Sequence, residues 1–267
     1  MSATDTAFAG SIPALYDRYM GPMLFAPYAA IVAERAKMLQ PVRILETAAG
    51  TGIVTAALHA ALPDAEIVAT DLNQAMLDIA AERITSDKIN FSQADAQALP
   101  FADDSFDLVV CQFGVMFYPD KVTANAEARR VLRPGGRYLR VIWDRLDRNS
   151  VSHVLGQALA QIYPDNPAAF LERMPFGYHD RTWIERDLRA AGFNDIEFET
   201  VDLRSRGSAR EAAIGLVQGT PMRTEIEPRA RDALERATDC GTQALRKLEG
   251  PHGLDAPMAA HIVIATK

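Results

Sequence analysis

Cysteine is scarce. The 267 residues hold two, Cys111 and Cys240, far apart and in no metal-ligand spacing, which argues against a disulfide framework or a thiolate metal site. Cys111 lies in an apolar run and reads as a buried, reduced thiol. A reducing compartment, the cytoplasm, is therefore the expected location. No apolar run approaches the roughly 20 residues needed to span a bilayer, so no membrane span is expected. The opening MSATDTAFAG includes Asp5 and lacks a basic cluster, unlike a secretory signal. Positive charge is also in deficit. Lys and Arg total 28 against 35 Asp and Glu, a formal charge of −7, which argues against a nucleic-acid partner because phosphates call for a basic face. Arg129, Arg130 and Arg133 do cluster, but at helical spacing they read as a solvated face.

With 48% hydrophobic and 24% charged residues, the composition is that of an ordinary globular protein able to bury a core without staples. Strand-like and helix-like segments alternate through the middle, the pattern of a parallel sheet flanked by helices. The spacing predicts strands at 42–46, 66–70, 89–94, 107–113 and 137–143. Helices are expected at 53–62, from Asn73 as a cap, and at 121–132, the last stopping at Arg133-Pro134-Gly135-Gly136. Later come helices at 153–163 and 182–191, a strand at 195–204, and a capping-box spacing at Ser208 and Glu211. A long helix through Ala233 and Leu245 and a seventh strand at 260–266 follow. No linker stands out. A single domain, 1–267, is expected, with a helical lid at 1–40, a ligand-binding half at 41–146 and substrate-side elements at 147–267.

The informative segment is Glu46-Thr47-Ala48-Ala49-Gly50-Thr51-Gly52, between the first strand and the first helix. Glycines there let backbone approach a ligand closely, and this carboxyl-end crevice is where open parallel sheets bind ligands. An empty tight turn would also explain a lone Gly-x-Gly. Asp71 ends the second strand 19 residues beyond Gly52, and a carboxylate there can accept hydrogen bonds from both hydroxyls of a ribose. An exposed turn carboxylate is the plain alternative. Asp95, at the end of the third strand, can accept from an exocyclic amine, or can simply cap its own turn. The third glycine of a dinucleotide fingerprint is absent, for Ile53, Val54 and Thr55 follow Gly52, which lowers a nicotinamide or flavin reading.

The order ILETAAGTG, ATDLNQAML, QADAQALPFADDSFDLVVCQFGVMFYPD and RRVLRPGGRYLRV resembles the S-adenosylmethionine-dependent methyltransferases of the ubiquinone/menaquinone-type group, over roughly 42–143. That resemblance implies an α/β, Rossmann-like class I methyltransferase fold with helices on both faces. Its mostly parallel sheet would have seven strands, the last antiparallel and inserted between the fifth and sixth. It implies S-adenosylmethionine as cofactor. Glu46, Ala48, Gly50, Thr51 and Gly52 would line its methionine portion and Asp71 its ribose. Leu72 would lie beside the adenine, contacted by Asp95 and Ala96, Gln112 and Phe113 would line the crevice, and Met76 would belong to the same cofactor-binding set. The first glycine of the pattern is Ala48 here, and alanine would not fit if that position needs a positive φ.

The partner would be a small-molecule methyl acceptor. Phe170, Met174, Phe176 and Tyr178 suggest an apolar or aromatic one. His153 and His179 are the candidates for a general base; His59 and His261 read as structural, and His252 as a loop residue. Tyr16 and Tyr19 are expected to face the cofactor's sulfonium by cation–π attraction, against the alternative of ordinary core anchors. Two competing functions are a non-catalytic binder of the same cofactor and an NAD-dependent oxidoreductase.

Overall fold

The structure, a computed structural model, describes residues 10–267; Asp5 and the expectation built on it lie outside them. The chain divides into two compact units. A strand-rich unit comprises Tyr28–Ile142, Tyr178–Thr200 and His261–Lys267, and a helical unit comprises 10–27, Trp143–Gly177 and Val201–Ala260.

The strands are β1 (Arg43–Thr47), β2 (Glu66–Asp71), β3 (Ile89–Gln93), β4 (Phe106–Gln112), β5 (Leu132–Trp143), β6 (Asp195–Gly207), β7 (Glu249–Gly250) and β8 (Gly253–Thr266). They form one sheet in the order β3-β2-β1-β4-β5-β8-β6, with β7 paired to β8. The first five run parallel. Backbone bonds join Gly135 and Gly136 to Lys267, and Asp144 to Ala259, so β8 runs antiparallel to β5. Thr266–Asp195, His261–Thr200 and Arg204–Asp255 contacts set β8 antiparallel to β6 in the same way. This is the expected class I methyltransferase topology, with helices around the sheet. The eighth strand is the two-residue β7, which forms a hairpin with β8 at a turn where Gly253 adopts φ +95°.

β1 and β4 are buried almost throughout, as suits strands covered on both faces; β3, at the edge, is half-exposed. The expected Arg-Pro-Gly-Gly stop lies instead inside β5 as a bulge. Phe106 pairs with Leu132 and Leu108 with Arg137, so two steps on β4 meet five on β5. Gly135, at φ +78°, absorbs the excess without steric cost. Covering helices include Ile53–Ala61, Gln74–Arg83, Lys121–Val131 and Arg181–Ala190.

In the helical unit, Ser150–Ile162, Ala209–Gln218 and Ala233–Leu245 pack on one another. Glycine permits the closest approaches. A β-carbon on Gly241 would lie 2.9 Å from Leu155. Ser208 caps its helix as expected, accepting from the Glu211 amide and donating to its carboxylate. Tyr16–Phe25 is a π-helix that contains Pro22 and continues into the helix Ala26–Leu39. It lies on Ala209–Gln218, where a β-carbon on Gly215 would come within 3.0 Å of Met20 and Tyr19. Tyr16 stacks on Phe25 at 4.8 Å, and Phe25, Trp143 and Phe176 continue the aromatic series.

Among the described residues no helix is long and apolar enough to cross a membrane, and no group of three His, Cys, Asp or Glu is placed to hold a metal ion.

Candidate functional site

The chain leaves β1 through a left-handed turn. Ala48, Gly50 and Gly52 have φ of +52°, +56° and +77°. Ala48 therefore adopts a positive φ despite its β-carbon, a conformation that costs a side-chain-bearing residue roughly 1 kcal/mol or more. The loop is tied down by an Ala49 amide donating to the Thr70 carbonyl at 2.9 Å. Gly52 answers a packing demand as well as a torsional one. A β-carbon there would lie 2.8 Å from that of Ala80 on the helix Gln74–Arg83, so no larger residue fits. Met76, from the same helix, reaches to 3.9 Å of the β-carbon position of Gly50.

Asp71 closes β2 directly beside this loop. Its Oδ2 accepts from the Gly50 amide at 2.9 Å and its Oδ1 from the Asn73 amide at 2.8 Å. Burial raises its pKa, and those amides oppose the rise. Asn73 stands at the N-cap position, but its side chain does not cap. It donates to Asp71 at 3.4 Å. The helix buries Met76, Leu77 and Ala80. Leu72, next in line, is 53% exposed, an unusual position for a leucine beside a buried carboxylate.

Glu46 is buried in β1 and accepts from the Thr55 hydroxyl at 2.6 Å. Burial pushes its pKa up to about 8, with Thr55 lowering it and Asp71 raising it further. Thr51 is buried with no hydrogen-bond partner for its hydroxyl, and its carbonyl accepts from Arg83.

Asp95 is exposed and accepts from the Gln97 amide at 2.8 Å, as the turn-capping alternative described. Ala96 is half-buried beside it. The Ala94 amide donates to the Asp71 carbonyl at 3.0 Å, so these residues stand where β2 and β3 end together. Gln112 and Phe113 follow on β4. Phe113 has φ +56° and meets the Tyr28 ring edge-on at 5.4 Å. The carboxyl ends of β1 to β4 thus bring together Glu46 through Gly52, Asp71 and Leu72, Asp95 and Ala96, and Gln112 and Phe113.

Two residues here are not among those the sequence points to. Gly114 is pressed against Ala48, and Tyr118 hydrogen-bonds both Thr47 and Cys111. A glycine immediately after a strand end was the one available signal. Cys111 is the buried thiol expected, and burial raises its pKa. Nearby, the fully buried Arg140 donates to Asn125 at 3.0 Å.

The remaining candidates are distributed differently. Tyr16, Tyr19 and His153 are half-buried in the helical unit, whereas His179 is half-buried in the strand-rich one. His261 is bonded to Thr200 and His252 is exposed in the β7–β8 turn. A separate cleft of about 360 Å³, lined by residues including Val42, Asp107, Arg133 and Arg137, opens at the amino ends of β1 and β4, the opposite end of the sheet from these residues.

Residues 44–136, entirely within the strand-rich unit, match the model of a methyltransferase domain. An uncharacterized protein of Mycobacterium bovis is 35% identical over 58% of this chain and 55% of its own length, so the chain spans about half of that relative. A demethylmenaquinone methyltransferase of Deinococcus radiodurans is 40% identical over 60% of this chain and 71% of its own. In fold, the chain is similar to an S-adenosylmethionine-dependent methyltransferase of Thermotoga maritima, with a TM-score of 0.57, 18% identity and 94% of each chain covered. On the strength of that sequence likeness, carried by the loop and strand ends just described, the chain belongs to the S-adenosylmethionine-dependent methyltransferases of the ubiquinone/menaquinone-type group.

Proposed function

We infer that this protein transfers a methyl group from S-adenosylmethionine to a small apolar or aromatic acceptor. The observation that carries the reading is the buried carboxylate of Asp71, held by the Gly50 and Asn73 amides beside an exposed Leu72. A carboxylate offers about four acceptor directions; ribose hydroxyls would displace the long Asn73 side-chain bond of 3.4 Å rather than the short backbone ones, and Leu72 offers an apolar face for adenine. The left-handed turn at Ala48, Gly50 and Gly52 brings backbone close to the methionine portion, with Thr51 and Met76 at its sides. Glu46 supplies a carboxyl near an amino group, and Asp95 with Ala96 the edge of the adenine.

When bound, the sulfonium supplies an electrophilic methyl and a good leaving group. The chain's task is then orientation, which can contribute roughly 7–11 kcal/mol to lowering such a barrier. Gln112 and Phe113 line the crevice in this reading. Tyr16 and Tyr19 are the candidates for cation–π contact with the sulfonium, to be tested by substitution. His153 and His179 remain the candidates for a base if the acceptor is a phenol or a carbon acid. A reduced quinone is the first acceptor to test, because the Deinococcus relative carries the name demethylmenaquinone methyltransferase. The reading goes with a cytoplasmic location and no nucleic-acid partner.

Thermal unfolding with S-adenosylmethionine, S-adenosylhomocysteine and NAD in separate titrations tests it. A ligand at 100 times its Kd stabilises by about 2.7 kcal/mol. Stabilisation by both adenosyl ligands is expected, followed by methyl transfer to a member of a panel of quinols, phenols and amines. Stabilisation by NAD alone overturns the reading; adenosyl binding with no turnover across the panel favours a non-catalytic binder.

A further inference from the structure

Two left-handed residues that are not glycine stand on neighbouring strand ends. Ala48 follows β1 and Phe113 follows β4, with φ of +52° and +56°. Such backbone persists only where the surroundings over-determine it. Around Ala48 those surroundings are visible. The Tyr118 hydroxyl donates to Thr47 Oγ1 at 3.2 Å, one residue before Ala48, and lies 3.3 Å from Cys111 Sγ on β4. Thr47 in turn donates to the Val110 carbonyl at 3.5 Å. With the Cys111 thiol donating to Tyr118, every proton in this chain points one way, from β4 through Tyr118 to β1 and back to β4. Buried chains of this kind reinforce their own members. Gly114 closes the arrangement. A β-carbon there would lie 2.4 Å from that of Ala48, 3.0 Å from Cys111 Sγ and 3.5 Å from the Tyr118 hydroxyl. Ala48 therefore has Gly114 tight against its methyl on the β4 side, and Tyr118, bonded to the preceding Thr47 and to Cys111, is the residue whose hydroxyl joins the two strands.

We propose that Tyr118 is a positioning residue for the cofactor loop: tied to Thr47 and Cys111, its hydroxyl holds Ala48 in the left-handed turn and so fixes the backbone that carries Gly50 and Gly52. It rests on the assignment of that loop to S-adenosylmethionine and acts through Thr47 and Ala48, not on the reacting atoms. Glycine at position 48 would hold the turn unaided, so the need for Tyr118 should vanish with the alanine methyl.

The test is a double-mutant cycle on S-adenosylhomocysteine affinity, measured by calorimetry for wild type, Tyr118→Phe, Ala48→Gly and the double variant. Tyr118→Phe is expected to raise Kd about tenfold, the equivalent of about 1.4 kcal/mol, within the range of one lost hydrogen bond. In the Ala48→Gly background the same change should cost under about threefold. Thr47→Val should reproduce the loss and Thr47→Ser should restore affinity. A merely structural Tyr118 would lower Tm alike in both backgrounds with no coupling in Kd, and that result overturns the proposal. So does wild-type affinity in Tyr118→Phe. If wild type itself fails to bind the ligand, the cofactor assignment falls and takes this proposal with it.

Discussion

The two units build their interiors by different means. In the strand-rich unit, backbone amides and buried carboxyls fix the loop at the strand ends: Gly50 to Asp71, Ala49 to Thr70, Thr55 to Glu46. In the helical unit, shape does this work, with Gly215 and Gly241 admitting Met20 and Leu155 and a series of aromatic rings filling the space. A hydrogen-bonded turn accepts few sequences, whereas a packed interior accepts many of equal volume. The family match falls at 44–136, inside the strand-rich unit.

The largest expected effect would break the contrast in the strand-rich unit. Asp71→Ala leaves the Gly50 and Asn73 amides without their acceptor and should weaken S-adenosylhomocysteine binding on the order of a hundredfold; isothermal calorimetry reads this directly. An affinity close to wild type would mean that backbone bonding at Asp71 does not define the site. Next comes Gly114→Ala, which places two β-carbons 2.4 Å apart and should destabilise by about 1–3 kcal/mol in denaturant unfolding. Adding Ala48→Gly should recover most of that loss. Failure to recover would show that shape at this point involves more than the one pair.

A third test uses pH. The Glu46 pKa is raised from 4.5 to about 8 in the folded chain, so the native state retains a proton that the unfolded state releases between those values. The contribution to stability therefore falls as pH rises through that window, by up to about 1.4 kcal/mol per unit. Glu46→Gln should flatten this part of the stability–pH curve relative to wild type, and identical slopes would count against a buried, protonated Glu46. The smallest effect belongs to the helical unit. Tyr16→Ala and Tyr19→Ala should each raise the Kd for S-adenosylmethionine a few-fold more than that for the uncharged S-adenosylhomocysteine, as loss of a cation–π contact predicts. Equal changes for both ligands would reduce the two rings to core anchors.

Legibility depended on how local the signal is, in both units. β1 to β4 and the Gly50–Asp71 relationship were readable because apolar runs, a glycine turn and a strand-end acid are local signals. The start of β5 was not, since Arg-Pro-Gly-Gly is the vocabulary of a turn, and only pairing with Phe106 makes it a bulge. The first half of β8 was hidden by Pro257, and the π-helix by Gly21 and Pro22, which usually break a helix. Tyr118 and Gly114 were invisible for a further reason: their contacts with Thr47 and Ala48 span 71 residues for the first, and no periodicity encodes such distances. Ala48 stands in the left-handed conformation although nothing local in the sequence favours alanine there.

The strand order has a consequence for synthesis. β6 precedes β8 in the chain, yet in the sheet it is attached only through β8. A nascent chain that has already made Asp195–Gly207 must therefore carry it as an unclaimed edge while 208–252 are added. Edges of that kind invite pairing between chains. This one bears Asp195, Glu197, Glu199, Asp202, Arg204 and Arg206 at close intervals, charges of the kind that disfavour pairing between chains, both before β8 is made and on the edge that β6 keeps in the finished sheet.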